Sequence, residues 1–335
     1  MKPRFSIIVP VYNRPQEVAD LVGSLLAQTN RDFELVVVED GSTVPCREQI
    51  EEAKNKGLDT KYFYKDNEGR SIARNYGMER ADGDYFIFFD SDVVVPPLYF
   101  EVLAACLDKD PEIECFGGPD AAHSSFSDTQ KAINYAMTAF LTTGGIRGGK
   151  VSLEKFTPRT FNMGFRREVY DKVGGFREMF SEDIDMSTRI RHAGYALALI
   201  PEAYVWHKRR MSFRKFARQV YVFGMSRITL KQLYPDSLKM VHILPSMALV
   251  GLAVLIVLAI TVSWWFLLPV GLYFLAILIG AAIATHSPKT AVMAVPAAAV
   301  QIGGYGAGFI KAWFTAYVLG RGRNIENEVA MRKGK

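Results

Sequence analysis

Apolar and polar positions in residues 1–120 alternate between two periods. Phe5–Val11 reads as a strand, and Pro15 then opens a helical pattern with Val18, Leu21, Val22, Leu25 and Leu26 on one face. Proline suits the first position of a helix, where its missing N–H costs nothing. Phe33–Val38 reads as a second buried strand, Cys46–Lys56 as a helix, Tyr62–Tyr64 as a short strand and Ser71–Arg80 as a helix. Tyr85–Phe89 is so uniformly apolar that it predicts a strand covered on both faces. Helix Leu98–Leu107 and strand Ile113–Gly117 complete the series. Such alternation predicts an α/β fold with a doubly wound parallel sheet, whose ligands bind beyond the carboxyl ends of the strands. Further on, Asp128–Leu141, Arg166–Val173 and Ser181–His192 read as helices and Ala196–Ile200 as a strand.

The pattern then changes character. Ile243–Ala284 is 42 residues long without one charge. That is enough for two bilayer-crossing helices of about 20 residues each, and it excludes a purely soluble protein. The spacing predicts spans near 243–262 and 264–284. In the third apolar segment, Ala291–Leu319, the residues Pro296, Gly303, Gly304, Gly306, Gly308 and Lys311 predict a broken or re-entrant helix. Upstream, Ser212–Tyr234 sets Phe213, Phe216, Val220 and Phe223 at helical spacing between Arg214, Lys215, Arg218 and Arg227. This predicts an amphipathic helix lying in the membrane interface, its basic side chains towards anionic headgroups. The plainer alternative is an ordinary amphipathic helix packed on the domain formed by residues 1–207.

Charge follows the same division. Residues 1–207 carry 24 Lys and Arg against 32 Asp and Glu, and residues 208–240 carry nine against one. Residues 241–320 hold only Lys289 and Lys311 and no acid, and the tail 321–335 holds five basic residues against two acidic. The sequence pI of about 8.9 is therefore an average and does not signal a nucleic-acid partner. Four regions are expected: an α/β domain over 1–207, a basic interface helix over 208–240, a membrane region over 241–320 and a basic tail. Basic residues before the first span predict a multi-pass protein of the inner cell membrane with its α/β domain in the cytoplasm. Phe5–Val11, interrupted by Pro10, is too short for a signal peptide. Cys46, Cys106 and Cys115 are odd in number and lack metal-ligand spacing, in keeping with a reducing compartment.

Candidate chemistry falls at the predicted strand ends. In Asp90-Ser91-Asp92 two carboxylates two residues apart project to the same side of an extended chain, towards one divalent cation. Oxygen donors suit Mg²⁺ or Mn²⁺, which would screen a bound diphosphate; a solvated turn is the bland alternative. Asp40, at the end of Val38-Glu39-Asp40-Gly41-Ser42, can accept from the N–H of a nucleotide base, although Asp-Gly is also a common turn pair. Arg70 and Arg74 lie one helical turn apart beside a helix start, placed for phosphate or ribose, or simply on the surface. Glu182-Asp183 opens a helix after Ser181 as its N-cap; the pair either complements the helix dipole or supplies a general base. His207 either completes a metal site or is an ordinary packed imidazole. Gly144–Lys150 has Walker-A spacing but is followed by Val151 instead of Ser or Thr, and so reads as a substrate loop. No GxGxxG follows the first strand, against a dinucleotide oxidoreductase.

Taken in order, Ser6–Pro15, Val38–Ser42, Asn67–Gly77, Asp90–Asp92, Asn162–Arg167, Gly174–Phe176 and Ser181–Asp183 resemble the family-2 glycosyltransferases with a GT-A fold. The resemblance covers roughly residues 5–207. It implies a Rossmann-like, mostly parallel sheet and an inverting transfer from a nucleoside-diphosphate sugar, a UDP- or GDP-sugar. Pro10, Tyr12, Asp40, Asn67 and Arg74 would lie around the nucleotide, with Asp90 at the ribose or the metal-bound diphosphate. Asp92 would be the direct metal ligand, with Mn²⁺ or Mg²⁺ as cofactor, and His207 a further ligand. Asp183 matches the family's catalytic base, and Glu182 would bind acceptor or orient that base. The expected acceptor is membrane-associated, a lipid-linked glycan or a polyprenyl phosphate. Processive members often carry Gln-x-x-Arg-Trp after the base; here Gln219 is followed by Val220-Tyr221-Val222-Phe223, which disfavours a processive polysaccharide synthase. A non-catalytic nucleotide-sugar-binding subunit is the rival from a different class.

Overall fold

The computed structural model describes residues 4–121, 126–144, 156–207 and 212–321. They form two compact units: 4–121 with 156–207, and 126–144 with 212–321.

The first unit opens with β1 (Phe5–Val11), α1 (Pro15–Leu26), β2 (Phe33–Asp40), α2 (Arg47–Asn55), β3 (Thr60–Lys65), α3 (Arg70–Met78) and β4 (Tyr85–Phe88). Next come β5 (Val93–Val94), α4 (Tyr99–Lys109), β6 (Cys115–Gly117) and β7 (Asp120–Ala121). Two helices of the second unit intervene, α5 (Asp128–Thr138) and α6 (Phe140–Thr143). The first unit then resumes with β8 (Met163–Arg166), α7 (Arg167–Val173), α8 (Glu182–His192), β9 (Ala198–Leu199) and β10 (Val205–His207). Seven strands make one sheet in the order β3-β2-β1-β4-β8-β6-β9. All its pairings are parallel except those of β8 with β4 and β6. Successive β2 residues feed opposite cores: Leu35 and Val37 join one apolar cluster, Val36 and Val38 the other. That two-residue period is why β2 is buried along its whole length.

β8 was not expected. The sequence predicts only a helix from Arg166, because Met163-Gly164-Phe165 carries no strand signal. Gly164 is there for packing: a Cβ on it would lie 2.3 Å from the Phe116 ring of the neighbouring strand. The two-residue strands β5 and β7, and the three-residue β10, also escape the sequence pattern.

Cys46 and Cys115 are enclosed in the first unit, and burial pushes both thiols up in pKa; at Cys46 the nearby Glu39 carboxylate adds to the shift. Cys106 is half-buried. A thiol reagent at pH 8 is therefore expected to label Cys106 first in the native protein, and all three cysteines on unfolding. Raised thiol pKa values favour the fold below the ordinary thiol pKa, and that contribution fades as pH rises through the folded-state value. Rapid native labelling of Cys46 would contradict its enclosure.

The second unit adds α9 (Phe213–Leu233), α10 (Met240–Thr261), α11 (Leu268–Thr285) and α12 (Pro288–Trp313). Among the described residues, three helical segments are long and apolar enough to cross a membrane: Met240–Thr261, Trp264–Thr285 and Pro288–Val318. The third corrects the expectation of a broken helix. It runs unbroken through Pro296 and ends in a π-helical turn, Phe314–Val318. Its glycines permit close helix crossing. A Cβ on Gly308 would lie 2.0 Å from the Tyr221 carbonyl oxygen of α9, and one on Gly224 of α9 would lie 2.0 Å from the Tyr305 carbonyl oxygen. Small residues at such crossings let backbones pack directly.

The same packing redirects α9. Phe216 and Val220, expected to face lipid, are buried with Ile133 and Met137 of α5, and Val300 and Tyr305 of α12 pack against them. Arg214, Lys215 and Arg218 stay exposed. α5, expected within the catalytic domain, buries Ala132 and Ala136 among Ile277, Ala281, Ala291 and Ala294 of α11 and α12. Gly308→Val is expected to cost at least about 1–3 kcal/mol by overpacking. Gly251, with nothing within 4 Å of its would-be Cβ, should tolerate alanine. Thermal unfolding in detergent compares the two, and equal melting temperatures would refute the close crossing.

Candidate active site

The carboxyl ends of β1, β2 and β4 converge on the polar segments that the sequence singled out. After β1, Asn13 adopts a left-handed backbone (φ 55°), and its Oδ1 accepts from the backbone N–H of Thr43 and Val44. The Asn13 N–H donates to Ser42 Oγ at 2.8 Å. This clasp joins the turns after β1 and β2, leaving Pro10 half-buried and Tyr12 exposed.

Asp40 is enclosed. Its carboxylate accepts from the backbone N–H of Glu68 (3.0 Å) and Gly69 (2.8 Å) and from Lys65 Nζ (2.8 Å). Asn67 Nδ2 donates to the Asp40 carbonyl oxygen at 2.9 Å. Gly41, at φ +74°, has no room for a side chain, since a Cβ would lie 2.6 Å from the Asn67 nitrogen. Burial works against the Lys65 charge, but its hydrogen bonds to Asp40 and Glu68 outweigh it, so the ammonium pKa lies above the ordinary lysine value. Asp40 thus fastens the loop leading into α3.

Asp90, Asp92 and His207 form the centre. One ligand atom from each lies within 4.8 Å of the others. His207 is brought there by a small second sheet, in which β10 lies antiparallel to β5 with His207 opposite Val93, and parallel to β7. Its Nε2 is 3.1 Å from Asp92 Oδ1, its Nδ1 is 3.8 Å from Asp120 Oδ2, and its ring lies over Phe161. Two carboxylates and an imidazole make a donor set that fits a divalent cation.

Arg74 connects this centre to α8. Fully buried, it reaches Asp90 Oδ1 at 2.7 Å and Glu182 Oε1 at 3.1 Å. Arg70 reaches the same Glu182 through Nε at 2.7 Å. The sequence offered these guanidinium groups to phosphate or ribose; the structure gives both to carboxylates, because Glu182 is enclosed and needs countercharge. Ser181 does stand at the N-cap of α8, but in a left-handed conformation (φ 61°) and without a side-chain capping bond. Asp183 follows, partly exposed, its Oδ1 accepting from the Ile184 N–H at 2.8 Å and its Oδ2 3.4 Å from Arg159. The glycine-rich segment from Gly145 to Lys150 lies outside the described residues.

The family model described as glycosyl transferase family 2 matches residues 6–174, half of the chain. The chain belongs to that family. Among curated relatives, an uncharacterized glycosyltransferase of Rickettsia conorii is 43% identical over 89 residues, 27% of this chain and 15% of the relative. The glycosyltransferase GlyA of Streptococcus pneumoniae is 36% identical over 100 residues, 30% of this chain and 14% of the relative. The chain matches only a small part of the length of each of these relatives. Among solved structures, the mannosyltransferase PcManGT of Pyrobaculum calidifontis, in complex with GDP-Man and Mn²⁺, aligns with a TM-score of 0.55. That alignment is 18% identical and covers 94% of this chain and 88% of the other. The first unit of this glycosyltransferase accordingly has the GT-A fold, with a mostly parallel sheet.

Several neighbours of the site were not singled out by the sequence. Arg14 Nη1 lies 3.8 Å from Asp92 Oδ2, and Asp120, Arg159 and Phe161 flank His207 and Asp183. Of these, only Arg14 had a usable signal, as part of the Tyr12-Asn13-Arg14-Pro15 turn at a strand end.

Proposed function

We propose that this glycosyltransferase inverts the anomeric centre of a UDP- or GDP-sugar while transferring it to a membrane-associated acceptor. A lipid-linked glycan or a polyprenyl phosphate fits that description. The supporting observation is the Asp90–Asp92–His207 cluster at the sheet's carboxyl edge, tied by Arg74 to the helix that begins with Glu182 and Asp183. Direct displacement needs a proton acceptor on one face of the sugar and a stabilised leaving group on the other. A divalent cation bound by Asp90, Asp92 and His207 would supply charge screening for the departing diphosphate.

The other roles belong to the chain itself. Asp183 takes the proton from the acceptor hydroxyl as the C–O bond forms. Glu182, held by two arginines, fixes the start of α8 and so aims Asp183. Asp40 and Asn67 set the loop against which the nucleotide base packs, with Pro10 and Tyr12 beside it. Arg74 holds Asp90 in place. The three apolar helices would anchor the chain to the bilayer that holds such an acceptor, and the basic segment ahead of them supports a cytoplasmic active site in the inner membrane.

The test is release of UDP or GDP from a panel of nucleotide sugars by the full chain in native membranes, with Mn²⁺, with Mg²⁺ and with EDTA. The complex of the Pyrobaculum enzyme with GDP-Man and Mn²⁺ makes that pair the first to try. Metal-dependent release from one donor is expected. Absence of donor binding under every condition would overturn the reading.

A further inference from the structure

Between α9 and the end of α12 lies a cavity of about 90 Å³, whose lining includes Met225, Ile228, Gln232, Lys311, Ala312 and Arg321. Met225, Ile228 and Ala312 in its lining are buried, whereas the two cations are exposed. Gly320, in a left-handed turn (φ +62°), brings the chain back so that the Arg321 N–H donates to the Thr315 carbonyl oxygen at 3.0 Å. Arg321 is thereby set beside the helix turn that carries Lys311. Lys311 also lies over the Tyr221 ring, 5.8 Å from its centroid.

Among the described residues, no carboxylate lines the cavity. Among the described residues of this unit the only acids are Asp128 and Asp236, and Asp128 is already paired with Lys289 at 2.8 Å. Two positive groups with no countercharge among the described residues, at the end of an otherwise apolar helix, point to a bound anion. The surroundings say where that anion comes from. Trp313, Phe314, Tyr317, Val318 and Leu319 are exposed on the same helix end. Aromatic residues beside Lys and Arg at the end of a span are characteristic of the headgroup level of a bilayer.

We infer that this cavity binds the phosphate of an anionic phospholipid. Arg321 provides a planar fork and Lys311 a point charge for the phosphate oxygens. The Gln232 amide adds a neutral donor, and the acyl chains run down the exposed apolar side of α12. The inference does not depend on which sugar is transferred.

The experiment compares the full-length protein with Lys311→Gln/Arg321→Gln in mixed micelles of phosphatidylcholine doped with phosphatidylglycerol. Retained phosphatidylglycerol is read by native mass spectrometry, and stabilisation by thermal unfolding. Each basic group near an anionic surface contributes enough that loss of both is expected to weaken retention by about 30-fold. Wild-type stabilisation by phosphatidylglycerol should vanish in the variant. If the double variant fails to fold, Arg321→Gln alone, at an exposed position, keeps the test alive with a smaller loss. Equal retention by variant and wild type would overturn the inference. So would equal protection by inorganic phosphate, or preferential retention of a polyprenyl phosphate over phosphatidylglycerol.

Discussion

Asp183→Asn is expected to lower sugar transfer to a hydroxyl acceptor by at least ~10²-fold while leaving nucleotide binding in place, the signature of a lost general base. The substitution preserves shape: an asparagine oxygen can still accept from the Ile184 N–H, so the first turn of α8 should survive. Only the capacity to carry the proton away is removed. Turnover and nucleotide affinity, measured side by side, decide the matter, because removal of a transition-state interaction lowers kcat without raising KM. Unchanged turnover would remove Asp183 from the role. A phosphate acceptor is already ionised and needs no base, so the size of the loss also reports which acceptor chemistry is in use.

Asp92→Ala should fail in the opposite way. Asp92 belongs to the cluster with Asp90 and His207 and stands 3.1 Å from the imidazole, so its removal takes one donor and loosens another. Loss of supporting groups alone typically costs ~10–100-fold in metal affinity, and a direct ligand should cost at least that. Titration of Mn²⁺ by electron paramagnetic resonance, with and without nucleotide, should show weakened metal binding and an increased apparent KM for donor. Unaltered Mn²⁺ binding would exclude Asp92 as a ligand.

The large features of the fold are written in periodicity. β1, β2 and β4 are runs of Ile, Val and Phe buried on both faces, and α1 follows its proline and its apolar stripe closely. The apolar stretch after residue 240 declares two bilayer-length helices by length alone. Strands of two or three residues are different: β5, β7 and β10 are too short for any period, although they carry His207 to Asp92. The glycines of α12 misled for another reason. Glycine in a helix signals either a break or a close neighbour, and only the partner backbone at Tyr221 tells which. Arg74 was ambiguous in the same sense: a guanidinium beside a strand end suits a phosphate as well as two carboxylates, and its partners lie 16 and 108 residues away.

Those separations bear on how this site can change over generations. Removing one member of a buried ion pair typically costs about 3–5 kcal/mol, because the charge left behind stays enclosed. Arg74 stands in one such pair with Glu182 and in a second, partly exposed pair with Asp90, so a substitution at Asp90, Arg74 or Glu182 favours a matching change at another of the three. These positions should therefore covary as a triplet among descendants of this sequence. A lineage adapting to a new sugar would find its freedom elsewhere, in residues that no buried charge binds to a distant partner.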